Sequence, residues 1–186
     1  VPSGNFGNIC AGVMGQKMGL PIDHFIACTN VNDAVPRFLK TGTYDPKPTV
    51  PTISNAMDVG NPSNFIRIQK IFNNDVVRMK KVISGYRYTD NETKKGLKEI
   101  YDLKGYIADP HGAVGYLGLK EFLSKQKDDF YGVFLETAHP VKFMDTVEKT
   151  LKTEVTVPER LKDTLVKEKK STPIKDYNQL RSYLLD

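Results

Sequence analysis

The stretch VPSGNFGNICAGVMG, residues 1–15, governs the interpretation of the fold around it. Two glycines and two asparagines surround a single phenylalanine, and an apolar run with helical spacing follows. A glycine-rich turn that enters a helix leaves backbone N–H groups without partners at the positive end of the helix dipole. Such a place suits a phosphate, because glycines let the backbone approach an anion closely. The stretch therefore predicts an anion-binding loop followed by a helix over about residues 9–18.

This loop differs from the common nucleotide-binding loops. It contains no lysine, which a Walker-type loop requires, and it does not follow the pattern GxGxxG. It would therefore hold a phosphate through neutral donors alone. Neutral donors suit a phosphate that stays on a cofactor better than one that is transferred. On spacing alone, an ordinary Gly-Asn turn remains an open alternative.

Working outward, two apolar runs predict buried strands. Residues Phe25–Cys28 in PIDHFIACT and residues 130–136, FYGVFLE, are both nearly continuous apolar segments, which are typical of parallel strands buried on both faces. Helical patterns lie between them, including one from Asn64 to Tyr86 and one that begins with a capping box of Thr89 and Glu92. The order of loop, helix and strand predicts an α/β fold with a parallel sheet flanked by helices.

The chain changes character after Leu151. We expect residues 1–151 to form a catalytic-domain portion and residues 152–186 to form a sparse, charged tail with short helices over Glu159–Lys169 and Lys175–Leu185. A proline-rich segment over about residues 44–65 is too irregular for regular structure, but its apolar residues predict that it is ordered.

Composition excludes several functional classes. The net charge of +5 is dispersed, and no nucleic-acid-binding motif accompanies it, so we expect no nucleic-acid partner. No apolar run is long enough for a membrane span, and no metal-ligand spacing occurs. Cys10 and Cys28 lie in apolar runs, which predicts buried free thiols in a reducing compartment, the cytoplasm.

Four motifs together resemble one enzyme family. VPSGNFGN, CTNVNDAVPRFL, TISNAMDVGNPSNF and TAHPVKF occur in the order and spacing of the threonine synthases. These are enzymes dependent on pyridoxal phosphate (PLP), of the fold-type II group that includes the tryptophan synthase β subunit. The resemblance runs from residue 1 to about residue 150. It implies an incomplete parallel sheet of that fold, with PLP as cofactor and O-phosphohomoserine and water as substrates for threonine and phosphate.

The resemblance also implies roles for individual residues. The PLP phosphate would be held by the loop residues Gly4, Asn5, Phe6, Gly7 and Asn8. The hydroxyl of Thr137 would bond to the pyridine nitrogen of PLP. Substrate contacts would come from two loops, with Asn30, Asn32, Ser54, Asn55, Asp58 and Asn64 as the candidates.

Plainer structural readings stay open beside several of these roles. Thr137 precedes a helix, where a threonine is often a cap, and Asn30 and Asn32 also stand where a helix begins. His111 and His139 lie at helix starts, and we expect both to be structural.

One feature of the threonine synthases has no counterpart in this sequence. Their Schiff-base lysine lies in a motif of the type FKD upstream of the phosphate loop, and no FKD occurs here. We therefore expect no catalytic lysine in this chain, no activity by the chain alone, and a missing N-terminal part as its partner. Val1 and Pro2 would be the end of the strand before the loop. The alternatives are another fold-type II lyase or dehydratase, or a non-catalytic phosphate-binding module.

Overall fold

A computed structural model describes residues 1–185, without the side chain of Leu165. It divides into two compact units, Val1–Val155 and Thr156–Asp186. The first unit contains α1 (Gly7–Lys17), β1 (Phe25–Thr29), α2 (Ala34–Thr41), a 3-10 turn (Asn55–Met57), α3 (Phe65–Ile71), α4 (Val76–Lys80), β2 (Ile83–Arg87), α5 (Asp90–Lys104), α6 (Pro110–Leu123), a second 3-10 turn (Pro140–Phe143) and α7 (Met144–Leu151). The second unit contains α8 (Glu159–Leu165) and α9 (Tyr177–Leu185).

The sheet consists of β1 and β2, which pair in parallel. Pro2 adds a single parallel bridge on the other edge of β1. There the amide of Ser3 donates to the carbonyl of Cys28 at 2.8 Å, and the amide of Cys28 donates to the carbonyl of Val1 at 3.0 Å. The predicted α/β fold is confirmed, and the bridge fixes where the glycine-rich loop begins.

The main core packs α1, α2 and α3 against this sheet. Phe6 and Phe65 meet edge to face with ring centroids 5.8 Å apart, and Phe38 meets Phe65 in the same way at 5.3 Å. Such aromatic contacts add to the free energy gained from burial alone. Because Phe6 belongs both to this core and to the glycine-rich loop, packing holds the loop in place.

The prediction of a helical pattern from Asn64 to Tyr86 is only partly right. Asn73 and Asn74 have φ values of 54° and 58°, a left-handed conformation that ends α3. The carboxylate of Asp75 then accepts hydrogen bonds from two amides and starts α4. After α4 the chain becomes strand β2. Gly85 is the reason that β2 fits, since a Cβ there would lie 2.8 Å from the Cα of Pro36.

The predicted strand over residues 130–136 is absent from the described part of the chain. The segment is mostly exposed, although the ring of Phe134 lies 5.8 Å from that of Tyr116. A strand needs a neighbour for its backbone groups, and within residues 1–185 none pairs with this segment.

Other predicted elements are confirmed with small shifts. The first strand, the helix over residues 34–41 and the capping box of Thr89 with Glu92 are present. The two tail helices are shorter than predicted. Cys10 and Cys28 are buried free thiols. Among the described helices, none combines the length and apolarity needed to cross a bilayer.

Candidate cofactor and substrate site

The glycine-rich loop presents a row of backbone N–H groups with no protein acceptor. Within the described residues, no acceptor receives a hydrogen bond from the amides of residues 4–9. The first amide that does bond is that of Cys10, which donates to the carbonyl of Phe6 at 3.1 Å. No side chain caps α1. These donors are therefore available to an external acceptor at the positive end of the helix.

Phe6 shapes this row of donors. Its φ of 61° and ψ of 20° place it in the left-handed region, which is rare for a bulky residue. A left-handed residue beside right-handed ones turns successive N–H groups toward one point and forms an anion-binding concavity. The ring of Phe6 is buried in the core, and that burial offsets the cost of the strained backbone.

The proline-rich segment fixes the loop from outside. A Cβ on Gly4 would lie 2.6 Å from the Cα of Met57, so loop and segment touch through their backbones. The side-chain oxygen of Asn5 accepts hydrogen bonds from the amide and the hydroxyl of Ser63, at 2.6 and 3.0 Å. Asn64 lies beside Gly7, with its amide nitrogen 3.5 Å from where a Cβ would stand. The contacts of Met57 and Ser63 with the loop were not predicted, because they form only when the two segments meet in the fold.

These observations test whether the loop fits the phosphate of PLP, and it does. The donors are neutral backbone groups at the start of a helix, they have no acceptor among the described residues, and glycine opens the approach. All five residues predicted to bind the phosphate lie together here, at Gly4, Asn5, Phe6, Gly7 and Asn8.

Most of the predicted substrate residues instead form one buried network. The amide nitrogen of Asn30 lies 2.8 Å from Asp58 Oδ1 and 3.1 Å from Ser54 Oγ. The side-chain oxygen of Asn30 accepts from the amide group of Asn32 at 2.9 Å. Asp58 also accepts from the amide and the hydroxyl of Thr52, at 2.9 and 2.7 Å. The network ties the proline-rich segment to the end of β1, and its polar groups satisfy one another.

Asn55 and Asn64 are placed differently. Asn55 is exposed and lines a cleft of about 600 Å³ whose other walls include Asp90 and Lys142. Its neighbours in the 3-10 turn contact the glycine-rich loop. Asn64 lies at the loop itself, where its side-chain oxygen accepts from Arg67 at 2.9 Å. Of the predicted substrate residues, Asn55 therefore borders the cleft, and Asn64 lies against the glycine-rich loop.

Thr137 lies in an exposed, irregular stretch between Glu136 and the second 3-10 turn. Among the described residues its hydroxyl has no hydrogen-bond partner. Instead, the adjacent His139 caps the turn, because its Nδ1 accepts from the amide of Val141 at 3.2 Å. The capping role that stood open for Thr137 thus belongs to His139.

His111 is buried and structural in its packing. Its ring lies 4.9 Å from that of Phe143, and its Nδ1 is 2.6 Å from Asp109 Oδ1. The sequence missed the cluster that this pair forms with Glu136, because the three come together only through the fold. Groups of three or more metal-ligating side chains are absent from the described residues.

Comparison with known proteins assigns this geometry to a family. The model for "Pyridoxal-phosphate dependent enzyme" matches residues 1–132, which contain the whole glycine-rich loop. The chain belongs to this family of pyridoxal-phosphate-dependent enzymes. A second model, "Threonine synthase, C-terminal", matches residues 112–184. The α/β fold predicted from the order of loop, helix and strand is confirmed, and so is PLP, the cofactor that the resemblance implied.

Curated relatives point to one branch of the family. The chain is 46% identical over 192 residues to threonine synthase of Buchnera aphidicola subsp. Schizaphis graminum, covering 100% of this chain and 42% of that protein. It is 45% identical over 186 residues to threonine synthase of Haemophilus influenzae, covering 100% and 43%. The chain thus spans less than half the length of these relatives, and the resemblance to threonine synthases is confirmed.

Solved structures agree. The crystal structure of threonine synthase from Escherichia coli superposes with a TM-score of 0.89 at 38% identity, over 99% of this chain and 42% of that one. The PLP-bound threonine synthase from Brucella melitensis gives a TM-score of 0.85 at 29% identity, over 98% and 44%. The fold-type II assignment is therefore supported along the whole chain.

Proposed function

We propose that this chain provides the phosphate-binding loop and the pyridine-facing segment of a threonine synthase. One observation carries the proposal: the amides of residues 4–9 have no acceptor among the described residues, and the core holds Phe6 in a left-handed conformation. The motifs and the similarity to threonine synthases support it. The reaction is conversion of O-phosphohomoserine and water to threonine and phosphate. Buried thiols at Cys10 and Cys28 favour a cytoplasmic setting.

The loop binds and orients the cofactor. When bound, PLP supplies an electron sink for the reaction. The amides of residues 4–9 donate to its phosphate, and the dipole of α1 favours the negative charge without a cationic side chain. Because the loop has no cationic side chain, the geometry of its amide donors would fix the orientation of the phosphate.

Thr137 sets the polarity at the other end of the cofactor. Its exposed hydroxyl would bond to the pyridine nitrogen. A hydroxyl, unlike a carboxylate, does not stabilise a proton on that nitrogen. Asn55, which lines the cleft, and Asn64, which lies beside Gly7, are the residues that we propose for substrate contact. Asn30, Asn32, Ser54 and Asp58 would act by holding this segment in place.

The chain alone should lack turnover. None of its lysines stands in the FKD motif that holds PLP in threonine synthases, so we propose that this lysine comes from a partner segment, the N-terminal part of such an enzyme. The test is phosphate release from O-phosphohomoserine. We expect none from the pure chain and activity once that N-terminal part is supplied. Turnover by the pure chain would refute the division of roles.

Binding tests the loop directly. PLP should bind in competition with inorganic phosphate, whereas pyridoxal, which has no phosphate, should bind much more weakly. Asn8→Ala should lower PLP affinity about 10-fold or more, as expected for loss of one hydrogen bond to a charged group. Affinity for pyridoxal should stay unchanged. Asn91→Ala, an exposed asparagine on α5, is the matched control. Equal PLP affinity in both variants would contradict the assignment of the loop.

A further inference from the structure

Three polar side chains meet at the start of α6, away from the glycine-rich loop. Asp109 caps α6, His111 lies in its first turn, and Glu136 reaches in from the segment before Thr137. The side chains of Asp109 and His111 are 0% and 2% exposed. A carboxylate and an imidazole buried this deeply require partners for their polar atoms.

One oxygen of Asp109 is fully engaged and the other is not. Oδ1 accepts from the backbone amide of His111 at 2.7 Å and bonds to His111 Nδ1 at 2.6 Å. The imidazole therefore carries its proton on Nδ1. Asp109 Oδ2 and His111 Nε2 are buried and have no hydrogen-bond partner among the described residues. The orphaned oxygen must find a donor or carry a large desolvation cost.

The carboxyl group of Glu136 is the neighbour at hand. Although Glu136 as a residue is exposed, its carboxyl end lies on the backbone of Gly112, where a Cβ would be only 1.8 Å from Oε1. Gly112 lies in the first turn of α6, the turn that Asp109 caps, so the carboxyl groups of Glu136 and Asp109 are neighbours there. Because no Lys or Arg among the described residues bonds to either group, both cannot be ionised at low cost.

We propose that Glu136 keeps its proton in the folded chain and donates it to Asp109 Oδ2. The shared proton supplies the donor that the buried oxygen lacks. It also clamps the extended segment before Thr137 to the first turn of α6. Glu136 is thus a positioning residue, and its importance for the cofactor rests on the proposed role of Thr137.

The electrostatics of the cluster agree with this arrangement. Burial, together with the hydrogen bond to Asp109 and its charge, raises the pKa of Glu136 to about 8. Burial would also raise the pKa of Asp109, but hydrogen bonds from His111 and Glu136 outweigh it and lower that pKa. Tyr106 is the other titratable group facing the pair, and burial and both carboxyl groups raise its pKa. The pair therefore holds one proton near neutral pH.

The sign of the pH effect follows. The pKa of Glu136 is higher in the folded than in the unfolded chain. The stabilisation of the folded chain by the Glu136 proton is therefore complete below about pH 4 and is lost as pH rises through about 8. Above that pH two charged carboxylates face each other, and the clamp should open. Glu136→Gln keeps a donor at every pH, because an amide N–H replaces the acid proton.

The test uses the whole chain without cofactor, so its outcome is independent of the proposed function. With Glu side chains labelled by ¹³C, the Glu136 carboxyl resonance should titrate with a midpoint near 8. Amide hydrogen exchange of His111 and Ala113, whose amides bond to Asp109 in the first turn of α6, should be equal in wild type and Glu136→Gln at pH 6. At pH 9 it should be roughly 10-fold faster in wild type. Glu136→Ala should exchange fast at both pH values, and Glu154→Gln, an exposed glutamate, should behave as wild type.

A second variant separates the clamp from general stability. Gly112→Ala improves helix propensity but places a Cβ where the Glu136 carboxyl group lies. It should return the Glu136 midpoint to about 4.3, the ordinary value, while α6 stays folded. A Glu136 titration midpoint of about 4.3 in wild type would overturn the proposal. So would fast exchange of Glu136→Gln at pH 6, equal to that of Glu136→Ala.

Discussion

At the scale of single residues, two glycines of the loop make a matched pair. In Gly4→Ala the new Cβ would stand 2.6 Å from the Cα of Met57, a backbone atom that cannot move aside cheaply. In Gly7→Ala the nearest atom would be 3.5 Å away, an ordinary contact. We expect Gly4→Ala to lower the free energy of unfolding by about 1–3 kcal/mol, as overpacking does. Gly7→Ala should be neutral or raise it by up to about 1 kcal/mol.

Urea denaturation of the two variants measures this difference. Equal stability would mean that Gly4 does not touch the proline-rich segment. That result would remove the physical reason for the fixed position of the loop.

A second pair of substitutions compares Asn30, which belongs to the buried hydrogen-bond network, with Asn55, which lines the cleft. Asn30 is buried and its side chain bonds to several residues of the network, so Asn30→Ala removes one donor from Asp58 and Ser54 and the acceptor of the Asn32 amide. We expect a loss of about 1–3 kcal/mol in unfolding free energy. Asn55 is exposed, and Asn55→Ala should stay within about 0.5 kcal/mol of wild type. Thermal denaturation checks both. If Asn55→Ala proved the more destabilising, the network would have been misread.

The same residues show what a sequence can reveal at this scale. The asparagines and the glycine-rich loop can be recognised in the sequence, because these residue types occur mainly in turns and polar contacts. Their division into network and border was not predictable, since it depends on burial of Asn30 but not of Asn55. The left-handed Phe6 was not predictable either, because only the core around Phe65 makes that conformation tolerable.

At the scale of elements, the capping box of α5 gives the sharpest prediction. The carboxylate of Glu92 accepts from the amide and the hydroxyl of Thr89, both at 2.7 Å. These bonds lower the pKa of Glu92 in the folded chain. The ionised Glu92 therefore stabilises the fold at a pH above its unfolded-state pKa, and this stabilisation is lost as pH falls through its folded-state pKa. Thr89→Ala should cost about 1 kcal/mol at pH 7 and clearly less at pH 3.

Chemical denaturation of wild type and Thr89→Ala at both pH values tests this. Lys98→Ala, on the exposed face of the same helix, is the control and should change little. A cost that does not vary with pH would show that the cap acts through the Thr89 hydroxyl alone.

Elements were predictable where local signals suffice. The capping box at Thr89 is a short-range feature, and the sequence predicted it. β2 was missed because Ser84 and Gly85 carry no strand signal and the strand exists through its pairing with β1. Residues 130–136 have strong strand character but no partner in the described chain. Both differences arise because a strand is defined by its neighbour, which a local pattern does not show.

At the scale of the whole molecule, the order of motifs carries more information than any one of them. A Gly-Asn turn or a threonine before a helix is common alone. The fold brings the loop of residues 4–9 against the proline-rich segment, so two of the four motifs meet in space. The composition predicted only an ordinary α/β chain, because charge and hydropathy record burial and not geometry.

The boundary between the two units yields the last prediction. The sequence places it after Leu151, whereas the compact units divide after Val155. Val155 is 5% exposed, packs with Phe143 and Val147, and its amide donates to Glu148 at 2.9 Å. None of the described side chains of α8 and α9 is buried. A chain ending at Val155 should therefore melt at the temperature of the whole chain.

A chain ending at Leu151 should melt lower by roughly 4–8 °C, because it loses about 2 kcal/mol of apolar burial and hydrogen bonding. Calorimetry of the two truncated chains beside the whole chain measures the difference, and Val155→Ala in the whole chain shows how much of it the valine contributes. Identical melting of both truncations would place the boundary at Leu151 and leave Val155 without a structural role. If the chain ending at Val155 melted below the whole chain, the tail would stabilise the first unit, although the described side chains of α8 and α9 are not buried.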